Sequence, residues 1–258
     1  MADTVLYERD GHVATITYNR PDVRNAINAE LRRDLNAAWE RFRADEDAWV
    51  GIVTGAGDSF CAGADMKDAG GSAGTWPGSF WEIPTVNSFE SGMEIWKPTI
   101  AAVNGYCLGY GLTLVSACDF VIAADDAEFG MPEVRIGAPT IVGAMRLPRR
   151  VGMQHALELL LTGDHIDATR AHEIGLAGWV VPRADLLTEA RKLADRLCQG
   201  APLAVRAVKE MAYRGQTLPW VDAVRMGETM RRVALTTEDA AEGIAAAREG
   251  RAPEWKGR

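Results

Sequence analysis

Residues 97–119 read KPTIAAVNGYCLGYGLTLVSACD, and this stretch decides the fold class. Thr99–Val103 is apolar and carries β-branched residues, which is typical of a buried strand. The glycine-rich turn after it leads into a predicted helix at 111–117, and residues 118–123 repeat the strand pattern. Strand, helix and strand in succession indicate an α/β protein.

The segments before this stretch follow the same logic. Val13–Tyr18 and residues 50–54 have strand character. Between them, residues 29–45 carry apolar side chains at spacings of three and four, which predicts a helix packed on a sheet. These side chains are Leu31, Leu35, Ala38, Trp39 and Phe42.

After Pro182 the sequence becomes helical. Helices are predicted at 186–199, 201–213, 221–235 and 238–248. Thr236 and Asp239, three residues apart, predict a capping box at the start of the last helix, and Gly250 marks its end. A helical region therefore follows the α/β part.

Composition narrows the class of protein. The chain has 258 residues, 47% hydrophobic and 25% charged, which is typical of a folded globular protein. Its net charge of -8 argues against nucleic acid as a partner. The four cysteines lack metal-site spacing, so free thiols in a reducing compartment are expected. With no signal-peptide pattern and no long apolar run, we expect a cytoplasmic protein that does not bind membranes.

Three glycine-containing segments can turn backbone N–H groups toward a ligand. They are 19–26 (NRPDVRNA), 55–67 (GAGDSFCAGADMK) and 97–119, which contains NGYCLGYG at 104–111. Two further motifs follow at 129–133 (FGMPE) and 146–152 (RLPRRVG), and the chain ends in APEWKGR at 252–258. In this order and spacing, the motifs resemble those of the enoyl-CoA hydratase/isomerase (crotonase) superfamily over nearly the whole chain.

The resemblance implies a crotonase-like spiral of ββα turns with a C-terminal helical trimerisation region. The boundary is predicted between residues 1–199, the acyl-CoA-binding core, and residues 200–258, the oligomerisation region. A homotrimer or a hexamer built as a dimer of trimers is expected. The substrate is an acyl-CoA, whose coenzyme A is part of the substrate, and no separate cofactor or metal is implied.

The resemblance also implies site residues. The N–H groups of Ala64 and Tyr110 form an oxyanion hole for the thioester oxygen. The backbone from Ala62 through Asp65 and Met66 to Lys67 holds the coenzyme A moiety, and Arg24 and Lys67 are candidate phosphate partners. An acidic chain needs such local cations to bind a polyanionic ligand.

The family pattern breaks at Thr113, where hydratases carry the first of two glutamates. Glu133 matches the second. A threonine hydroxyl can orient water, but its pKa is far too high for a general base. One base suffices to move a proton from C2 to C4 of an enoyl-CoA, so isomerisation is the chemically simpler reaction. Thioester hydrolysis, C–C bond cleavage and a catalytically silent acyl-CoA-binding module stay open as alternatives.

Two other features bear on the acyl group. Residues 137–146 lack the glycine-rich run usual in the family, and this segment is expected to border the acyl pocket. The aromatic residues Trp76, Phe80, Trp81 and Trp96 fit either an acyl pocket or core and trimer contacts. The four histidines form no metal-spaced cluster and receive no catalytic role.

Overall fold

A computed structural model describes residues 3–67 and 88–258 of the chain. Within these ranges the strands are β1 (Val5–Asp10), β2 (Val13–Tyr18), β3 (Val50–Gly55), β4 (Ser59–Cys61), β5 (Thr99–Val103), β6 (Tyr106–Leu108), β7 (Phe120–Ala124), β8 (Glu128–Gly130), β9 (His165–Asp167) and β10 (Trp179–Val181). The α-helices are α1 (Ala29–Ala44), α2 (Tyr110–Val115), α3 (Val142–Val151), α4 (Met153–Thr162), α5 (Ala168–Glu173), α6 (Leu186–Leu197), α7 (Pro202–Arg214), α8 (Trp220–Ala234) and α9 (Glu238–Glu249). This order confirms the α/β core followed by helices.

The larger sheet has six strands in the order β1-β2-β3-β5-β7-β10. All neighbours in it are parallel except β1 and β2, which form an antiparallel hairpin. Every residue of β3 and β5 is buried. Helix α1 packs its apolar stripe on β1 and β2, while α6 packs on β3, β5 and β7. Continuous apolar strands covered by helices are what a buried parallel sheet requires.

The smaller sheet has four short strands in the order β4-β6-β8-β9. Strands β4, β6 and β8 are parallel, and β9 is antiparallel to β8. The carboxyl ends of the three parallel strands therefore lie at one edge. The turns that follow them begin at Ala62, Gly109 and Met131.

Strand β7 begins at Phe120 instead of the predicted residue 118, because Asp119 belongs to a turn. Its carboxylate accepts the N–H of Thr99 at 2.7 Å and forms an ion pair with Lys209 at 2.7 Å. The Tyr213 hydroxyl also donates to Asp119, at 2.9 Å. Asp119 thus ties α7 to the strands, as expected for a structural carboxylate.

The predicted capping box at Thr236 and Asp239 is wrong. Thr237 is the N-cap of α9, and its hydroxyl accepts the N–H of Ala240 at 3.1 Å. Asp239 is buried and accepts the N–H groups of Lys256 and Gly257 at 2.7 and 2.9 Å. The aspartate binds the end of the chain because that segment folds back over the start of α9.

The C-terminal helices expose much apolar surface. Helix α8 has no buried residue in the described structure, and Trp220 at its start is 81% exposed. The predicted boundary at residues 199/200 falls between α6 and α7 and stays a prediction. Among the described residues, no helix is both long and apolar enough to cross a membrane.

Candidate active site

A cavity of about 520 Å³ opens at the edge where β4, β6 and β8 end. Its described lining includes six of the predicted site residues and a group of apolar side chains. The six are Ala62, Ala64, Met66, Tyr110, Thr113 and Glu133. The apolar part includes Ile136, Pro139, Ile141 and Val142, from the altered 137–146 segment and the residues beside it. Parallel strands place ligand sites at their carboxyl ends, and the cavity follows this rule.

The turn after β4 brings an amide N–H to the cavity. Gly63 has a φ of +95°, and a Cβ added there would lie 3.2 Å from the carbonyl oxygen of Leu108. Only glycine fits this close approach without strain. Ile27 forms hydrogen bonds with both neighbours of Ala64. Its N–H donates to the Gly63 carbonyl oxygen, and its own carbonyl oxygen accepts the Asp65 N–H. Among the described residues the Ala64 N–H has no acceptor, so it is free to bind a ligand.

The turn after β6 supplies a second amide. Gly109 is the N-cap of α2 with a φ of +54°. Tyr110 is the first residue of this helix, so its N–H has no acceptor within the helix. Gly63 and Gly109 lie against each other, since a Cβ on Gly109 would be 3.7 Å from the Gly63 Cα. The two glycine turns therefore meet at the cavity.

Glu133 follows β8 in a short 3-10 helix, Pro132–Ile136, that begins with proline. A Cβ added to Gly109 would lie 3.1 Å from the Glu133 Oε1, so the carboxyl is close to the glycine turn. The Glu133 Oε2 is buried and has no hydrogen-bond partner among the described residues. Burial raises the pKa of Glu133 above its ordinary value of 4.5, although its own backbone N–H partly offsets this. A raised pKa brings a carboxyl closer to the pH at which it can both release and accept a proton.

Thr113 lies on α2, where only 5% of its surface is exposed. A Cβ added to Gly143 of α3 would be 3.0 Å from the Thr113 Oγ1 and 3.1 Å from the Thr140 Oγ1. Thr113 also lines the cavity. It supplies a hydroxyl where the family pattern has a carboxylate.

Sequence reasoning missed Glu90, the other acidic residue in the described cavity lining. It is 5% exposed, and its Oε1 accepts hydrogen bonds from the hydroxyls of Ser88 at 2.5 Å and Tyr110 at 2.6 Å. Burial raises the pKa of Tyr110, and the nearby Glu90 carboxylate raises it further. No motif marks Glu90, because it lies in an irregular segment whose place is set by tertiary packing.

The candidate coenzyme A contacts divide into two groups. Ala62 and Met66 line the cavity, whereas Arg24 and Lys67 are exposed and lie outside the lining. The Asp65 carboxylate forms an ion pair with Arg20 at 3.1 Å, which supports a structural role for this side chain.

A cation that the sequence did not single out lies nearer to the cavity. Arg32 of α1 lines it, with the guanidinium 5.0 Å from the centre of the Tyr110 ring.

Trp96 lies away from this cavity. It lines a separate groove with residues of α7 and α8, and the guanidinium of Arg214 is 5.0 Å from its ring centre. Its packing favours helix contacts over an acyl pocket. Trp76, Phe80 and Trp81 lie outside the described residues.

The histidines make no metal site in the described part of the chain. His12 stacks on Trp49 with ring centres 3.5 Å apart, and His165 contacts Glu128 at 3.3 Å.

Comparison with known proteins gives a consistent result. A sequence model described as enoyl-CoA hydratase/isomerase matches residues 8–258. An (E)-benzylidenesuccinyl-CoA hydratase of Thauera aromatica is 37% identical over 255 residues, covering 98% of this chain and 99% of the relative. A probable enoyl-CoA hydratase of Mycobacterium bovis is 38% identical and covers 98% of each chain. A crystal structure of an enoyl-CoA hydratase from Mycobacterium tuberculosis superposes with a TM-score of 0.90 at 36% identity, covering 99% of this chain and 100% of that one.

Proposed function

The chain belongs to the enoyl-CoA hydratase/isomerase family, and from this premise we propose that it moves a proton next to the carbonyl of an acyl-CoA thioester through a stabilised enolate. The N–H groups of Ala64 and Tyr110 bind the enolate oxygen. Glu133 is the acid/base that exchanges the proton with carbon.

One observation carries the proposal: the Ala64 and Tyr110 amides, which have no acceptor among the described residues, line the same cavity as the Glu133 carboxyl. As the enolate forms, negative charge moves onto the thioester oxygen, and two preorganised donors stabilise it by several kcal/mol. A general base held at the carbon contributes a further factor of about 10²–10⁴ in rate.

The reaction can end in two ways. With Glu133 alone, the proton returns at C4 and the enzyme is an isomerase. The relatives named as hydratases favour addition of water to a 2-enoyl thioester, which needs a second group to take the proton of water. Thioester hydrolysis, C–C bond cleavage and silent acyl-CoA binding stay as alternatives, and the identity of the product distinguishes them.

Coenzyme A is proposed to lie along the backbone of residues 62–67, with Arg24 and Lys67 near its phosphates. The enzyme needs no cofactor apart from the coenzyme A of its substrate, and it works in the cytoplasm. The exposed apolar side chains of α8, such as Trp220, Val221 and Val224, support a homotrimer or hexamer. Sedimentation velocity will show one of these species if this is right and a monomer if it is wrong.

The function is tested by incubating 2-enoyl-, 3-enoyl- and aromatic enoyl-CoA thioesters in deuterated water and measuring product masses. Wild type is compared with Glu133→Gln, and Glu128→Gln on the exposed side of β8 is the matched control. We expect deuterium incorporation by wild type and the control but not by Glu133→Gln. Deuterium uptake that survives Glu133→Gln contradicts the assigned base, and binding without any turnover favours the silent module.

A further inference from the structure

Glu90 is a buried carboxylate that the proton transfer at Glu133 does not use. It lies in the segment before β5 and lines the same cavity as Ala64 and Glu133. Its backbone is held in place, since the Arg146 Nε donates to the Glu90 carbonyl oxygen at 2.7 Å. The side chain is therefore a fixed part of the cavity wall.

The two carboxylate oxygens of Glu90 have different surroundings. Oε1 accepts two short hydrogen bonds, from the hydroxyls of Ser88 and Tyr110. Oε2 is buried and has no partner among the described residues. A buried acceptor without a donor is costly, so this arrangement suits a site where a ligand or water supplies the missing donor.

The charge nearby restricts what this donor can be. The Arg32 guanidinium lies over the Tyr110 ring, 5.0 Å from its centre, and lines the same cavity. A cationic substrate group would be repelled by Arg32 while it approached Glu90. A neutral O–H donor avoids this repulsion, and both water and a hydroxyl group on the acyl chain provide one.

We propose that Glu90 and the Tyr110 hydroxyl form the water site of a hydratase, supplying the acid/base group that Thr113 cannot. This inference rests on the proposed function and names its reaction as reversible addition of water to a 2-enoyl thioester. Glu90 accepts the proton of water directly or through the Tyr110 hydroxyl, to which it is already hydrogen-bonded.

The step balances. The oxygen of water forms a bond to C3 as the C2–C3 π bond breaks, and its electron pair moves into the enolate held by the Ala64 and Tyr110 amides. One proton of water passes to Glu90, and protonated Glu133 delivers its proton to C2. Proton exchange with solvent then restores both carboxyls, and the reverse sequence is dehydration.

Hydration and proton exchange at C2 can be measured separately. Hydration of 2-butenoyl-CoA and cinnamoyl-CoA needs both carboxyls. Exchange of the α-protons of their saturated counterparts with deuterated water needs Glu133 and the two amides but no attacking water. The ratio of the two rates therefore reports on the water site, whereas general damage to the fold lowers both rates together.

The test compares wild type, Glu90→Gln and Tyr110→Phe, which retains the Tyr110 amide. Glu94→Gln in the same segment is the matched control, because Glu94 is exposed and pairs with Arg214. We expect Glu90→Gln to lower the hydration-to-exchange ratio by about 10²-fold and Tyr110→Phe to lower it by about tenfold. Glu94→Gln leaves it unchanged.

Two results overturn the inference: a hydration-to-exchange ratio that is unchanged in Glu90→Gln, whether or not both rates fall, or a wild type that exchanges α-protons but hydrates neither thioester. The second leaves the proposed proton transfer standing and favours the isomerase. A wild type without α-proton exchange contradicts the proposed function itself.

Discussion

The two sheets of this protein differ in what they contribute: the larger sheet supplies buried core, and the smaller sheet positions the turns of the candidate site. The six-stranded sheet contains the fully buried strands β3 and β5 and is covered by α1 and α6. The four-stranded sheet has strands of three residues each, and three of them end at turns that line the cavity. Short strands suffice for the site because the larger sheet supplies the buried apolar surface. Substitutions in the two sheets should therefore have separable effects on stability and turnover.

The largest separation is expected at Glu133, after β8. Glu133→Gln should lower kcat for the natural thioester by about 10³-fold, because the proposed general acid/base is removed. The free energy of unfolding should not fall, since a neutral amide replaces a carboxyl whose buried Oε2 has no partner among the described residues. Steady-state kinetics and urea unfolding of one preparation measure both quantities. A variant that loses stability along with activity would contradict the separation of stability and activity between the two sheets.

The opposite effect is expected at Ile100, which is fully buried in β5. Ile100→Ala should lower the free energy of unfolding by about 3 kcal/mol through lost burial and the cavity left behind. Its kcat at low temperature should match wild type. Leu6→Ala on the edge strand β1, where Leu6 is 37% exposed, is the control and should cost much less. Similar losses of stability in Ile100→Ala and Leu6→Ala would contradict the assignment of core stability to the buried strand β5.

A smaller effect on activity is expected where the two glycine turns meet. Gly109→Ala places a methyl group 3.1 Å from the Glu133 Oε1 at a φ of +54°, so the carboxyl must move. We expect kcat/KM to fall by about tenfold, because the carboxyl must shift by only a few tenths of an ångström, and misplacing a reacting group by about 1 Å costs about 10²-fold.

Gly11→Ala is the matched control for Gly109→Ala. Gly11 has a similar φ of +56° in the β1–β2 turn, and no atom of the described residues lies within 4 Å of an added Cβ. Both variants place a side chain at a positive φ, so Gly11→Ala should lose some stability and keep its activity. Equal kcat/KM values for the two would show that strain alone, and not the place of Glu133, explains any loss.

The pH dependence of α-proton exchange sharpens the assignment of Glu133. Abstraction needs the ionised carboxyl, so kcat/KM should fall as the pH drops through the pKa of Glu133. Because burial raises this pKa above 4.5, the fall should begin at a higher pH than an exposed glutamate would give. Rate profiles from pH 4 to about 9 test this. A limb centred at or below 4.5 would point to a more exposed carboxyl group.

Sequence patterns predicted the regular elements well where a local signal exists. Strands β2 and β5 have their predicted bounds, and α1 ends one residue before its predicted end. Errors occurred where a distant residue competes with a local pattern. Thr236 and Asp239 have the spacing of a capping box, yet Asp239 binds Lys256 and Gly257 because the chain end packs across α9.

The candidate site shows the same contrast between residues with a local sequence signal and residues whose position depends on tertiary packing. Its glycine turns were found because Gly63 and Gly109 need positive φ values, a requirement that leaves a mark in the sequence. Glu133 was singled out because the motif at 129–133 (FGMPE) resembles that of the family. Glu90 leaves no such mark, and Trp96 has the composition of an acyl-pocket residue but packs with α7 and α8.

By itself, the sequence determined the α/β class through the periodicity of its strands and helices. The resemblance of its local motifs determined the family and led to the predictions at Ala64, Tyr110 and Glu133. The tertiary structure alone decided that Glu90 contacts Tyr110, 20 residues away, in the cavity of Glu133. Contacts between side chains from separate segments depend on how those segments pack, and packing constrains shape and volume without prescribing a local pattern.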